Sequence, residues 1–244
     1  MIKRLVVLFL IVCTACQTAK IKNDTYKVAT TSPELGSIGD SRKKYGIENT
    51  FEVRSLPKLD NKIRITIGIV PFNKKLNKVY QSKSKYNQTH TPITYIDSLP
   101  KKPELVTLTI LDINGLVNEL NASYNSDVVR LLKDTKKFKI ITSLAVHLSV
   151  EEITKIRQAD AYYLTNTQDK KYTISLYKSG KKTDLLDIDP EDIVAFQTSK
   201  FCWAINQKNE WYIADIILGE NNCKGNTRSV IPKEDKNNES LFDM

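Results

Sequence analysis

Residues 62–70 read Lys-Ile-Arg-Ile-Thr-Ile-Gly-Ile-Val, and Pro71 follows. Ile63, Ile65, Ile67 and Ile69 alternate with Arg64, Thr66 and Gly68. Every second residue is apolar, the pattern of a strand with one face on a core. Proline ends such a run because it has no N–H to give to a ladder.

Working toward the C-terminus, residues 106–111 are nearly all β-branched or Leu and predict a second strand. Asp112 or Asn114 can then cap a helix that begins near Gly115 and turns Leu116, Val117 and Leu120 inward. Residues 126–135 predict a second helix, and 138–150 a strand. Ser149 and Glu152 form a capping-box pair that starts a short helix running to Arg157. Strands follow at 159–166 and 172–177, with Ser179-Gly180 as a hairpin turn into 182–188. A last pair, 194–205 and 211–218, is joined across Asn206–Glu210. The fold class is α+β: a mostly antiparallel sheet with two or three short helices and one disulfide.

Between the first two strands lies a long polar connection, residues 73–103, with a short strand expected at 93–96. Its Tyr80, Tyr86, His90 and Tyr95 are candidates for a binding surface, the other reading being a mobile loop.

Working toward the N-terminus, Lys3 and Arg4 precede eight apolar residues, Leu5 to Val12, and then Cys13-Thr14-Ala15-Cys16. This three-part layout is that of a secretory signal, and the apolar run is far short of the roughly 20 residues a membrane-spanning helix needs. The small Ala15 before Cys16 resembles the lipobox of bacterial lipoproteins, with Cys13 where that family usually has Leu. The resemblance implies cleavage after residue 15, lipid on Cys16, and attachment to the periplasmic side of an outer membrane. An ordinary cleaved signal without lipid is the alternative. Residues 16–50, poor in large apolar side chains, are expected to form a flexible linker. As a coil they would hold a single domain, residues 51–231, roughly 30–40 Å from the bilayer. Residues 232–244 are expected to be a disordered tail. Within the domain, the order of residues 67–72, 137–141 and 159–162 loosely resembles that of periplasmic lipoproteins of the curli-secretion type, and no residue roles are carried over from it.

Of four cysteines, Cys13 leaves with the signal and Cys16 takes the lipid. Cys202 and Cys223 remain, and an oxidising compartment pairs them. The formal charge of +9 admits anionic partners. The lysines come as scattered pairs, Lys74-Lys75, Lys101-Lys102, Lys136-Lys137, Lys170-Lys171 and Lys181-Lys182, read mainly as a solvated surface with weak attraction to anionic headgroups. Nucleic acid is not expected as a partner.

No H-E-x-x-H, G-x-S-x-G, P-loop or G-x-G-x-x-G occurs. His90 and His147 have no Asp or Cys close in sequence, and His147 is expected to face away from the apolar side. Asp184, Asp187, Asp189, Glu191 and Asp192 form the densest carboxylate run, read as a solvated turn because Pro190 interrupts any EF-hand spacing. Trp203, Trp211 and Tyr212 flank the disulfide, as core or as a binding face for a glycan or peptide. The expectation is a lipid-anchored accessory or scaffold protein, without catalytic residues, metal or cofactor. It would meet the membrane through Cys16 and dock on another envelope protein. The alternatives are a lipoprotein that captures a glycan, peptide or ion, and an envelope hydrolase or its inhibitor.

Overall fold

The computed structural model describes residues 18–22, 24–44, 47–84, 93–98, 100–166, 172–219 and 221–232. The expected signal segment (residues 1–15), Cys16, Tyr86, His90 and residues 233–244 lie outside the described residues. Twelve strands are β1 (Thr18–Ile21), β2 (Asp24–Val28), β3 (Ile38–Lys44), β4 (Ile47–Ser55), β5 (Ile63–Pro71), β6 (Glu104–Ile110), β7 (Lys139–Val146), β8 (Ala161–Asn166), β9 (Tyr172–Lys178), β10 (Lys181–Leu186), β11 (Ile193–Ile205) and β12 (Trp211–Leu218). Among the described residues, four α-helices are α1 (Lys74–Ser84), α2 (Ile113–Asn121), α3 (Ser126–Asp134) and α4 (Val150–Gln158). The sheet runs β1-β2-β11-β7-β6-β5-β8-β9-β10, with β12 on β11, and with β3 joining β7 to β4.

All of these pairings are antiparallel. The thirteen-residue β11 is the axis of the sheet. Its first half lies between β7 and β2, and its second half pairs with β12. Both central strands are buried on two faces. Leu144, Val146, Ile193 and Phe196 face one core with Leu108, Leu116 and Leu132, while Ala145, Val194 and Ala195 face a second with Ile21, Tyr26, Leu76 and Tyr80. Strands buried on both faces read as unbroken apolar runs rather than alternations. The start of β5 keeps the alternation, with Ile63 and Ile65 buried and Arg64 and Thr66 exposed.

The helix starts follow from their caps. Asp112 accepts the Gly115 N–H at 2.8 Å and opens α2. Ser149 and Glu152 cap each other reciprocally at the head of α4. The Cys202–Cys223 disulfide is present.

Two expectations are corrected. Much of the expected flexible linker is strand: β1, β2, β3 and the start of β4 fall within residues 16–50. Strands β1 to β3 each supply only one or two large apolar residues, so no periodicity shows in the sequence. Their burial comes from the sheet they join. Tyr26 is 2% exposed, and its hydroxyl shares a hydrogen bond with Ser143 Oγ at 2.8 Å. Gly39 is needed where β3 meets β4, because a Cβ there would stand 2.1 Å from the Glu52 carbonyl oxygen. The long polar connection holds a helix, α1, which makes four helices rather than two or three. Asn73 Oδ1 accepts the Leu76 N–H at 2.9 Å, and Leu76, Tyr80 and Lys83 are buried at helical spacing. Lys83 in an apolar position hid that stripe. Residues 93–96 are not a strand, but Ile93 and Tyr95 pack on the second core.

Candidate anion-binding site

A cleft of about 510 Å³ opens where α3 hands the chain to β7. Lys133 lies in the last turn of α3, where a cation is favoured by the negative end of the helix dipole. The chain then turns through Lys136 and Lys137, and Lys139 opens β7. Lys27 from β2 and Lys200 from β11 enter from the other side. Six lysines and one carboxylate, Asp40, give the cleft a formal +5. Asp40 is 7% exposed and is held by the Lys137 ammonium. Lys27 donates to Ser41 Oγ at 3.5 Å. Lys133, Lys136 and Lys139 pair with no carboxylate among the described residues.

The floor is apolar, formed by Phe138, Phe201 and Trp203. One wall is the chain segment 229–231, and its place is fixed covalently. The disulfide ties Cys223 to β11, and the next residue of β11, Trp203, exchanges two backbone hydrogen bonds of 2.8 Å with Arg228. Ser229, Val230 and Ile231 are thereby laid along the cleft.

Lysine ammoniums are compact, strongly hydrated point charges, and several around one cavity suit a ligand that carries several anionic oxygens. The cleft holds no histidine and no hydroxyl or thiol poised on a base. Among the described residues, no three His, Cys, Asp or Glu side chains gather as metal ligands. No described helix is long and apolar enough to cross a membrane.

The aromatic residues singled out in the sequence are divided. Trp203 is 4% exposed and lies under the cleft. Trp211 packs, partly buried, on the first core. Tyr212, on the opposite face of β12 from Trp211, is exposed. Of the cleft's lysines the sequence reading names only the pair Lys136-Lys137, as solvated surface with weak attraction to anionic headgroups, and passes over Lys27, Lys133, Lys139 and Lys200. The available signal was the run Lys133-Asp134-Thr135-Lys136-Lys137-Phe138-Lys139, four lysines in seven positions. Lys27 carried no such signal, because only the sheet register brings it here.

His147 is half-buried rather than exposed, edge-on to the Tyr80 ring with centroids 5.5 Å apart. Burial lowers its pKa, opposed by Glu152. The carboxylate run is dispersed. Asp184 pairs with Lys155 at 2.9 Å. Asp189 caps a short 3-10 turn by accepting the Glu191 N–H, and Lys83 donates to the Glu191 carbonyl oxygen. Among the charges that act on Tyr80 and Lys83, Asp192 is the foremost. Burial, then Asp189 and Glu152, push its carboxyl up to about 6 against the pull of Lys83. The unfolded value is about 3.9. A carboxyl raised on folding favours the protonated native state, so its penalty grows as pH rises from about 4 to 6 and stays full above that. Asp192→Asn is therefore expected to raise the melting temperature at pH 8, with the gain shrinking toward pH 4. A gain that does not vary with pH, measured by thermal melts across that range, would contradict this assignment.

No family model matches this chain, and no curated protein sequence matches it.

Proposed function

We propose that the chain is a lipid-anchored cell-envelope protein that captures a multiply charged anionic ligand, bearing phosphate or sulfate groups, in the lysine-lined cleft. The observation that carries this reading is the grouping of six lysines around an apolar floor, with one carboxylate to offset them. The volume suits a small-molecule or glycan-segment ligand. The anchor in this reading is Cys16, on the outer membrane's periplasmic side. Docking on another envelope protein is the second reading. It is motivated by the tether, the expected linker and the missing catalytic motifs, and strands β1 to β4 take up much of that linker while helix α1 takes up residues 74–84 of the long connection. The nine-residue β4, which among the described strands pairs only with β3, keeps it in play as an edge for strand addition.

Calorimetric titration of the full chain with inorganic tripolyphosphate tests the first reading. The unmodified chain is expected to bind one equivalent, with an affinity that falls as salt rises. Lys136→Glu with Lys139→Glu is expected to weaken binding at least about ten-fold, since each reversal replaces an attraction with a repulsion. Equal affinity in the two proteins would sink the reading.

A further inference from the structure

We propose that the anionic group this cleft takes is the headgroup of an acidic phospholipid in the membrane that holds the chain, an inference that rests on the cleft and the Cys16 anchor of the reading above. The register of the first hairpin carries it. Thr18, the first residue of β1, is the partner of Lys27 on β2, and Lys27 lines the cleft. Partnered Cα atoms in an antiparallel pair stand about 4.5–5.5 Å apart. Cys16 is two residues before Thr18 in the chain, and two peptide units reach at most about 7 Å. The point of lipid attachment thus lies within about 13 Å of a cleft lysine's Cα, on the order of one Debye length at physiological salt.

Acyl chains buried in the bilayer hold the residue that bears them at the headgroup level. A spacer of 30–40 Å, as a free coil would have given, would lift the cleft out of the field of the surface. The start of β1 at Thr18 removes that spacer and sets the cationic cleft beside the headgroups. Phospholipid phosphates are the nearest dense source of negative charge, and lysines near an anionic surface add their attractions. The cleft's rim also fits this occupant. Val230 lines it at 40% exposed, an apolar side chain among ammonium groups. Basic residues interleaved with exposed apolar ones suit the boundary between headgroups and acyl chains.

The test uses the full chain carrying Cys16→Ser, so that no lipid of its own holds it to a bilayer. It is co-sedimented with vesicles of one part phosphatidylglycerol to two parts phosphatidylcholine, and with vesicles of phosphatidylcholine alone. The expected result is binding to the acidic vesicles only, displaced by tripolyphosphate. Lys136→Glu with Lys139→Glu is expected to lower the partition coefficient at least about ten-fold. Val230→Asp, a substitution at an exposed position, is the second variant and is expected to lower it as well, so the test survives misfolding of the first. Tripolyphosphate bound in solution with no preference for acidic vesicles would overturn the membrane assignment and leave the cleft reading standing. Acidic-vesicle binding that neither variant weakens would overturn it too. Failure to bind either probe would end the cleft reading, and this inference with it.

Discussion

Glu119→Ala is expected to lower the free energy of unfolding by about 3 kcal/mol at neutral pH. Glu119 sits on α2 and is 3% exposed. Its carboxylate gathers the chain that leads into β5. Oε2 accepts the Asp60 N–H at 2.6 Å, the Asn61 N–H at 3.3 Å and the Tyr124 hydroxyl at 2.7 Å, and Oε1 accepts the Asn61 side-chain amide at 2.7 Å. Asn125, 1% exposed, completes the knot by donating to the Glu119 and Lys58 carbonyl oxygens and accepting the Lys58 N–H. Alanine would remove at once the common acceptor of two backbone amides, a side-chain amide and a hydroxyl, and hydrogen bonds to a charged group are the stronger ones. Burial raises the carboxyl's pKa, but the hydrogen bonds from Asn61, Tyr124 and the backbone outweigh it and hold the pKa below its usual value. A carboxyl lowered on folding stabilises the native state fully above its unfolded pKa, about 4.3, and loses that contribution as pH falls through the folded value. The gap between the parent and Glu119→Ala is therefore expected to narrow from pH 7 to pH 3. Urea melts at the two pH values measure it. A loss under about 1 kcal/mol at pH 7 would mean that the loop finds other acceptors.

The knot around Glu119 also shows where sequence reading stops. Asp112 and the Ser149–Glu152 pair announce their helices because a cap and the amides it binds lie within three residues. The β9–β10 turn and the β11–β12 pair are equally local. Glu119 binds Asp60 and Asn61 across 59 and 58 positions, and one chain gives no sign of such a pairing. The same limit governs β1 to β3. Their residues look like linker because each strand's burial is supplied by a remote neighbour, β2 by β11 and β3 by β7. Helix α1 was hidden for another reason. Its inward stripe ends in Lys83, whose ammonium finds the Glu191 carbonyl oxygen 108 positions away. In the cleft, four lysines were visible as a run, yet a run of lysines more often faces solvent. Only the arrival of Lys27, Lys200 and the 229–231 wall turns that run into a cavity.

Replacing the disulfide by Cys202→Ala with Cys223→Ser is expected to cost about 3 kcal/mol, and to open the cleft before the rest of the fold yields. The cross-linked positions are 21 apart, and releasing a loop of that length restores about this much chain entropy to the unfolded state. Alanine suits position 202, which is 0% exposed and would bury an unpaired hydroxyl if it were serine. The local effect follows from how little else holds the C-terminal segment. From residue 221 to 232 only Cys223, Thr227 and Ile231 are even half-buried among the described residues. Beyond the disulfide, the exchange between Trp203 and Arg228 is its backbone link to β11. Two backbone hydrogen bonds near solvent add little net stability, so the segment is expected to detach in the folded protein. Trp203 would then gain water at a position that is now 4% exposed. Its emission should shift to the red and its amide should exchange faster, while the β5–β6–β7 amides keep their protection. Tripolyphosphate should bind more weakly, because Ser229, Val230 and Ile231 no longer close the wall. Dithiothreitol, a dithiol that becomes a cyclic disulfide as the protein takes up two electrons and two protons, should reproduce the change in the parent chain. Unchanged emission and unchanged melting in both would show that packing of Ile231 alone suffices to hold the segment, and that the covalent tie adds nothing to the cleft.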